Sequence, residues 1–259
     1  MINYRFFYFL FIAIFLFSCS DPDENEEVKK PGINKSANLK GLGDSASELL
    51  SDNKFTSMNI EIVYVNGYAP SEKTLTNFKK FLEARTYKPD GITISLRAVN
   101  SSGKSPFDIE EIAEIENETR TVYNAGDEIA VYIYVTDGRS EKDKENEFTL
   151  GSAFRNTSMV IFGETIEKFA ERPNAPSKSD IEAAVFNHEF GHLFGLVDIG
   201  TEPQSDHLDK DNAGHCNIEG CLMEASIEFG SGIIDEIEGG RVPKLDELCI
   251  RDLQAAGGR

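Results

Sequence analysis

The stretch His188-Glu189-Phe190-Gly191-His192 constrains this chain more than any other, because its chemistry works in only one backbone conformation. Residues four apart stack on one face of an α-helix, so His188 and His192 can hold one zinc ion from the same side. Glu189 then stands beside the ion as general base. Zinc lowers the pKa of a bound water to about 7, and a neighbouring carboxylate takes the proton as the water attacks a carbonyl. The pattern implies peptide hydrolysis. The flanks agree with a helix: Ile181 to Asn187 is an apolar run, and Ser179 with Glu182 three residues on reads as a capping box. Gly195 suits a sharp turn with positive φ, and Asp198 supplies a ligand-capable carboxylate three residues later.

Together these residues resemble the metzincins, zinc peptidases with the signature His-Glu-x-x-His-x-x-Gly-x-x-His and a downstream Met-turn. His188, Glu189, His192 and Gly195 match it, and Met223 matches the Met-turn methionine. Asp198 stands where most of the family has histidine, as in the snapalysin-like branch, and a carboxylate is an acceptable zinc ligand. A second alignment competes. His215-Cys216-Asn217-Ile218-Glu219-Gly220-Cys221-Leu222-Met223 resembles the archaemetzincins, where the third histidine runs directly into Cys-x4-Cys-x-Met. On that alignment His215 is the third ligand. We rank Asp198 first, because a rigid helix and one glycine turn fix its spacing, then His215, then His207.

Beyond Cys19 the cysteines are Cys216, Cys221 and Cys249. The archaemetzincin resemblance implies a structural second zinc on such cysteines with a later Cys-x-x-Cys, which here reads Cys249-Ile250-Arg251-Asp252. Three thiolates and a carboxylate could bind zinc, but an oxidising compartment favours a disulfide between two of the cysteines, and we rank the disulfide first. A calcium loop at Asp206, Asp209 and Asp211 ranks lower, because its spacing only partly fits.

The compartment follows from the N-terminus. Residues 1–18 read as a signal peptide, with Arg5 followed by the apolar run Phe6 to Phe17, too short for an ordinary membrane span. Leu16-Phe17-Ser18-Cys19 resembles a bacterial lipobox, which implies cleavage before Cys19 and a lipid anchor on it. Residues 19–54 are polar and acidic, the composition of a flexible tether, and their start resembles the export tags of Bacteroidetes surface lipoproteins. Residues 55–259 then form one domain. A formal charge of −19 argues against nucleic acid as a partner, since phosphates would be repelled.

Periodicity gives an α/β (α+β) order of elements. Strands are expected at Met58 to Val65, Gly91 to Val99 and Glu128 to Thr136, the last apolar on both faces and therefore central. Helices are expected at Ser71 to Arg85 and Leu245 to Ala256, and a helix or helical loop at Phe107 to about Tyr123. Phe148 to Arg155 and Thr157 to Gly163 are two short strands. The first is a candidate edge strand, and the metzincin resemblance implies that its Gly151, Ser152, Ala153 and Phe154 line the substrate channel and pair with an extended peptide. The resemblance implies a metzincin-like zincin domain: a twisted mixed sheet, an active-site helix and a C-terminal subdomain. No tyrosine follows Tyr134, so the tyrosine that the family carries after its Met-turn is missing, and oxyanion stabilisation would fall to zinc and backbone donors.

The sequence thus points to a monomeric, lipid-anchored, extracytoplasmic zinc endopeptidase with one catalytic zinc, acting on peptides or proteins. A second zinc or calcium ranks below that. The competing readings are aminopeptidase-like trimming of short peptides and a non-catalytic surface-binding lipoprotein.

Overall fold

In the computed structural model the described residues are 34–145, 147–230, 237 and 240–259. The signal peptide, Cys19 and the acidic start of the tether lie outside them. Five strands form one sheet: β1 (Ser57–Val65), β2 (Gly91–Val99), β3 (Glu128–Thr136), β4 (Gly151–Arg155) and β5 (Ser158–Phe162), in the order β2-β1-β3-β5-β4. All neighbours are parallel except β4 and β5, which pair antiparallel with a register shift between Ala153 and Arg155. β4 is therefore an edge strand, as its position in sequence suggested.

Alternation along the strands builds two cores, one on each face of the sheet. In β3, Ile129, Val131, Ile133 and Val135 face the larger core, while Tyr132 and Tyr134 face the smaller one with Phe107 and Ile112. The smaller core is covered by α3 (Ile109–Thr119), which Asp108 and Glu111 open with a reciprocal capping box. The larger core is covered by α2 (Glu72–Arg85), α4 (Gly163–Ala170) and α5 (Lys178–Leu193). Helix α4 was not expected; it starts directly on the end of β5 without a side-chain cap, so only Ile166 and Phe169 mark its buried face.

Residues 34–54 correct the expectation of a tether. A 3-10 turn (Lys35–Asn38) and the short helix α1 (Ala46–Leu50) pack onto the domain, with Leu49 and Leu50 fully buried. The Asn38 amide donates to Asn124 Oδ1 at 2.7 Å and to the Ala130 carbonyl at 3.0 Å, and the buried Lys88 ammonium donates to the carbonyls of Glu48, Ser51 and Phe55. A few anchors hold the segment where low apolar content hid it. No described helix is long and apolar enough to cross a membrane.

Candidate metal centre

Helix α5 carries the His188 and His192 pair, and it is buried on nearly every side. That explains why its sequence shows no polar face. Phe186 and Phe190 meet Phe78 of α2 edge-on, at ring-centroid distances of 5.4 Å in both cases. Its polar residues are satisfied sideways: Asn187 donates to Asn77 Oδ1 at 3.0 Å, and Glu182 accepts from Thr74 Oγ1 at 2.7 Å. The cap is Ser177, whose hydroxyl accepts from the Asp180 N–H, rather than the expected Ser179; Glu182 is committed to α2 and closes no capping box. Gly191 lies between the two histidines because Met223 packs against the spot where a Cβ would stand. The chain leaves the helix through Gly195, at φ +73, as its spacing suggested.

His188, His192, His215 and Glu228 each bring one donor atom to a common point, all within 4.8 Å of one another. Asp198 is not among them: it sits exposed in a left-handed turn at φ +69, so the helix and glycine turn that fix its spacing carry it away from the histidines. His215 takes the place ranked first for Asp198. His207 lies elsewhere.

The donor set fits zinc. His188 Nδ1 donates to the Leu222 carbonyl at 2.7 Å, which leaves the lone pair on Nε2, and that atom faces His192 Nε2 at 3.1 Å. The Nδ1 atoms of His192 and His215 are buried without a protein partner. His215 Nε2 is 2.8 Å from Glu228 Oε2, which lies 3.9 Å from His192 Nε2. For metal bonds of about 2.0–2.1 Å, the edge of a tetrahedron is about 3.3 Å, a value these separations bracket. Burial, and then the neighbouring His215, push His188 down to about 4; burial pushes His192 down as well. Both imidazoles are thus neutral, the form that ligates.

Glu189 lies beside this cluster. The Ala153 N–H of β4 donates to its Oε2 at 2.8 Å, while Oε1 is buried with no partner. Burial raises its carboxyl well above the usual range, and nearby Glu228 adds to this. Gly151 makes room for it: a Cβ there would stand 2.7 Å from both Cγ and Oε1 of Glu189. Of the four edge-strand residues expected to meet substrate, Gly151 and Ala153 therefore hold the Glu189 carboxylate.

A second cluster lies behind the first. His207, Cys216, Asp246 and Cys249 also converge, and Cys221 joins them through a 3.7 Å approach to Cys249. The expected disulfide is not formed, and all three cysteines are free and buried. Instead they surround the His207 imidazole, with Nδ1 at 3.3 Å from Cys216 Sγ and 3.9 Å from Cys249 Sγ. Zinc–sulfur bonds of about 2.3 Å give edges of about 3.7 Å, the separation of Cys221 and Cys249, and Asp246 Oδ2 also reaches Cys216 Sγ at 3.1 Å, so thiols, the His207 imidazole and the Asp246 carboxylate all stand within reach of one ion. Hydrogen bonds from the Cys221 and Cys249 thiols push Cys216 down to about 5, while sharing that thiolate pushes the other two up. Asp252, the carboxylate that the lower-ranked second-zinc reading offered as a ligand, stands behind His207 and accepts from its Nε2 at 2.7 Å. The suggested calcium loop gathers no cluster among the described residues; Asp209 accepts from Asp211 and Asn212 of its own turn.

Sequence reasoning missed Glu228 altogether, since it lies beyond any motif on a five-residue helix, α6 (Ala225–Phe229). It noticed Asp252 but gave it the wrong role.

No family model and no curated protein matches this sequence. Among solved structures, the chain is similar to an archaemetzincin from Methanopyrus kandleri, with TM-score 0.49 and 16% identity over 78% of this chain and 96% of that one. It is also similar to metalloproteinase-II from Bacteroides fragilis, with TM-score 0.42 and 14% identity over 80% of this chain and 55% of that one. The functional reading rests on this chain's own donors.

Proposed function

We propose that this chain is a zinc-dependent endopeptidase with one catalytic zinc held by His188, His192 and His215 and a second, structural zinc held by His207, Cys216, Cys221 and Cys249. The observation that carries the reading is the convergence of three buried imidazoles beside a carboxylate with one oxygen tied and one free. A zinc ion in such a site polarises the scissile carbonyl and acidifies the attacking water.

The chain's own residues do the rest. Glu189, anchored through Oε2 by Ala153, offers Oε1 to take the proton of the attacking water and return it to the leaving amine. The edge of β4 supports an extended peptide as substrate, because exposed backbone groups bind peptides regardless of sequence. The signal peptide read at residues 1–18 supports action outside the cytoplasm, with the domain tethered through a lipid on Cys19.

Glu189→Gln tests the reading. We expect peptide cleavage to fall by roughly 10²–10⁴, the usual contribution of a general base, while zinc content stays unchanged. Cleavage at wild-type rate by this variant would remove Glu189 from the reaction, and a chain that takes up no zinc would end the zinc reading.

A further inference from the structure

Glu228 does something a peptidase base and three histidines do not require. A catalytic zinc site keeps a fourth position for water, whereas a structural site fills all four with protein. Here the fourth corner already holds a carboxylate oxygen, 2.8 Å from His215 Nε2 and 3.9 Å from His192 Nε2. These separations lie on either side of the tetrahedral edge of about 3.3 Å, less close to it than the 3.1 Å between His188 and His192 but within reach of one ion.

The backbone around Glu228 explains how it is delivered. The last carbonyls of a helix have no helical N–H to accept from, and need partners elsewhere. In α6 those of Glu228 and Phe229 are taken by the segment leading into β4: Leu150 N–H donates to the Glu228 carbonyl at 2.8 Å and Phe148 N–H to that of Phe229 at 3.2 Å. The end of α6 is therefore tied by its last carbonyls to the segment that leads into β4, which fixes Glu228 beside the histidines. Gly230 turns the chain away at φ +62. The side chain of Glu228 is 16% exposed, against 5% for His215 and 6% for His192 beside it, so its route out of the cluster faces solvent.

We propose that Glu228 is a fourth protein ligand of the catalytic metal and that α6 is a plug, which closes the site until Glu228 withdraws and water takes its place. The inference rests on the zinc-peptidase reading and concerns its regulation. It requires only that a metal-bound carboxylate be exchanged for a water, with no bond in the chain made or broken.

The test uses the full chain loaded with Co²⁺, whose visible absorption reports the ligands directly, alongside Glu228→Gln, which keeps the side chain's shape, and Glu228→Ala. If Glu228 is a ligand, both variants shift the cobalt bands and weaken metal binding roughly tenfold or more. Cleavage of a short unstructured peptide should rise about tenfold, the gain expected if the wild-type plug is open about one part in ten. Unchanged bands and affinity in both variants would overturn the proposal and leave the peptidase reading standing. The same spectrum with activity lost only on peptides that carry a free amino terminus would also overturn it, by placing Glu228 against the substrate amine. A wild-type chain that binds neither Co²⁺ nor Zn²⁺ would overturn the peptidase reading and this inference with it.

Discussion

The two donor clusters share one loop and differ in how they are closed. His215 and Cys216 are neighbours in sequence, yet His215 joins the front cluster and Cys216 the rear one. Extended backbone does this naturally, since successive side chains point opposite ways, and Cys216 is extended enough to form a bridge with Leu208. In front, three imidazoles meet a carboxylate on a short, partly exposed helix. At the rear, one imidazole meets three thiols, and His207 and the Asp252 behind it are wholly buried. Thiolates grip zinc tightly and leave no vacancy, whereas imidazoles with a removable fourth partner leave a place for chemistry. The loop therefore runs between the two clusters, giving His215 to one and Cys216 to the other.

Breaking the rear cluster should have the largest effect. Cys249→Ser removes one thiolate, and a structural zinc contributes on the order of 10 kcal/mol, as much as the whole stability of an ordinary domain. We expect the variant to lose the rear zinc and to unfold well below the wild type, taking His215 out of the front cluster as the loop loosens. Metal analysis and circular dichroism on heating would check this. A variant that keeps both ions and the wild-type melting curve would contradict a metal role for Cys249.

Acidity should separate the clusters in the metal-free protein. His188, driven down mainly by burial, titrates near 4 when folded and 6.5 when unfolded, so below 6.5 the unfolded chain binds more protons. Its share of stability is full above 6.5 and is lost as pH falls from there to about 4, on the order of 3 kcal/mol at about 1.4 kcal/mol per unit. Cys216, held down by hydrogen bonds from Cys221 and Cys249, titrates near 5 when folded against 9.0 unfolded, so its share falls away between those limits. Urea unfolding across this range, repeated with Cys216→Ser, would show the upper window flattening while the lower one remains. A flat profile between 7 and 9 in the wild type would argue that Cys216 holds its proton in the folded chain.

How much of this was legible in the sequence depended on whether the signal was local. Strands β1, β2 and β3 and helices α2 and α3 were readable because period and caps are properties of adjacent residues. His188, Glu189 and His192 were readable for the same reason, since one helical turn dictates their geometry. The third ligand was not. Spacing after Gly195 favoured Asp198, but a turn with two successive left-handed residues, Val197 at φ +55 and Asp198 at φ +69, aims the chain elsewhere. His215 arrives from 23 positions beyond His192, along a loop whose next residue, Cys216, joins the rear cluster. Those cysteines misled too: compartment argued for a disulfide, and only folding brings His207 among them. Glu228 left no trace, because nothing within α6 points to a metal. The polar segment at 34–54 looked like a tether because its anchors, Asn38, Leu49 and Leu50, are few and widely spaced.

The smallest predicted effect sharpens the same contrast between spacing and geometry. Asp198→Gly removes the carboxylate that spacing ranks first, at a position whose left-handed backbone glycine adopts more easily. Relief of that strain and the greater freedom of glycine in the unfolded chain oppose each other, so stability should change by no more than about 1 kcal/mol. Zinc content and kcat/KM should match the wild type. Were Asp198 the third ligand, the same substitution would strip the front zinc and leave the rear one in place, halving the metal content with the fold intact. His215→Ala should produce that halved content instead, because its ring stacks on His188 at 5.3 Å and meets His192 at 5.2 Å. The pair of variants therefore decides the ligand without reference to activity, and it does so through a residue that the helix carries away from the metal and one that the rear cysteines bring back to it.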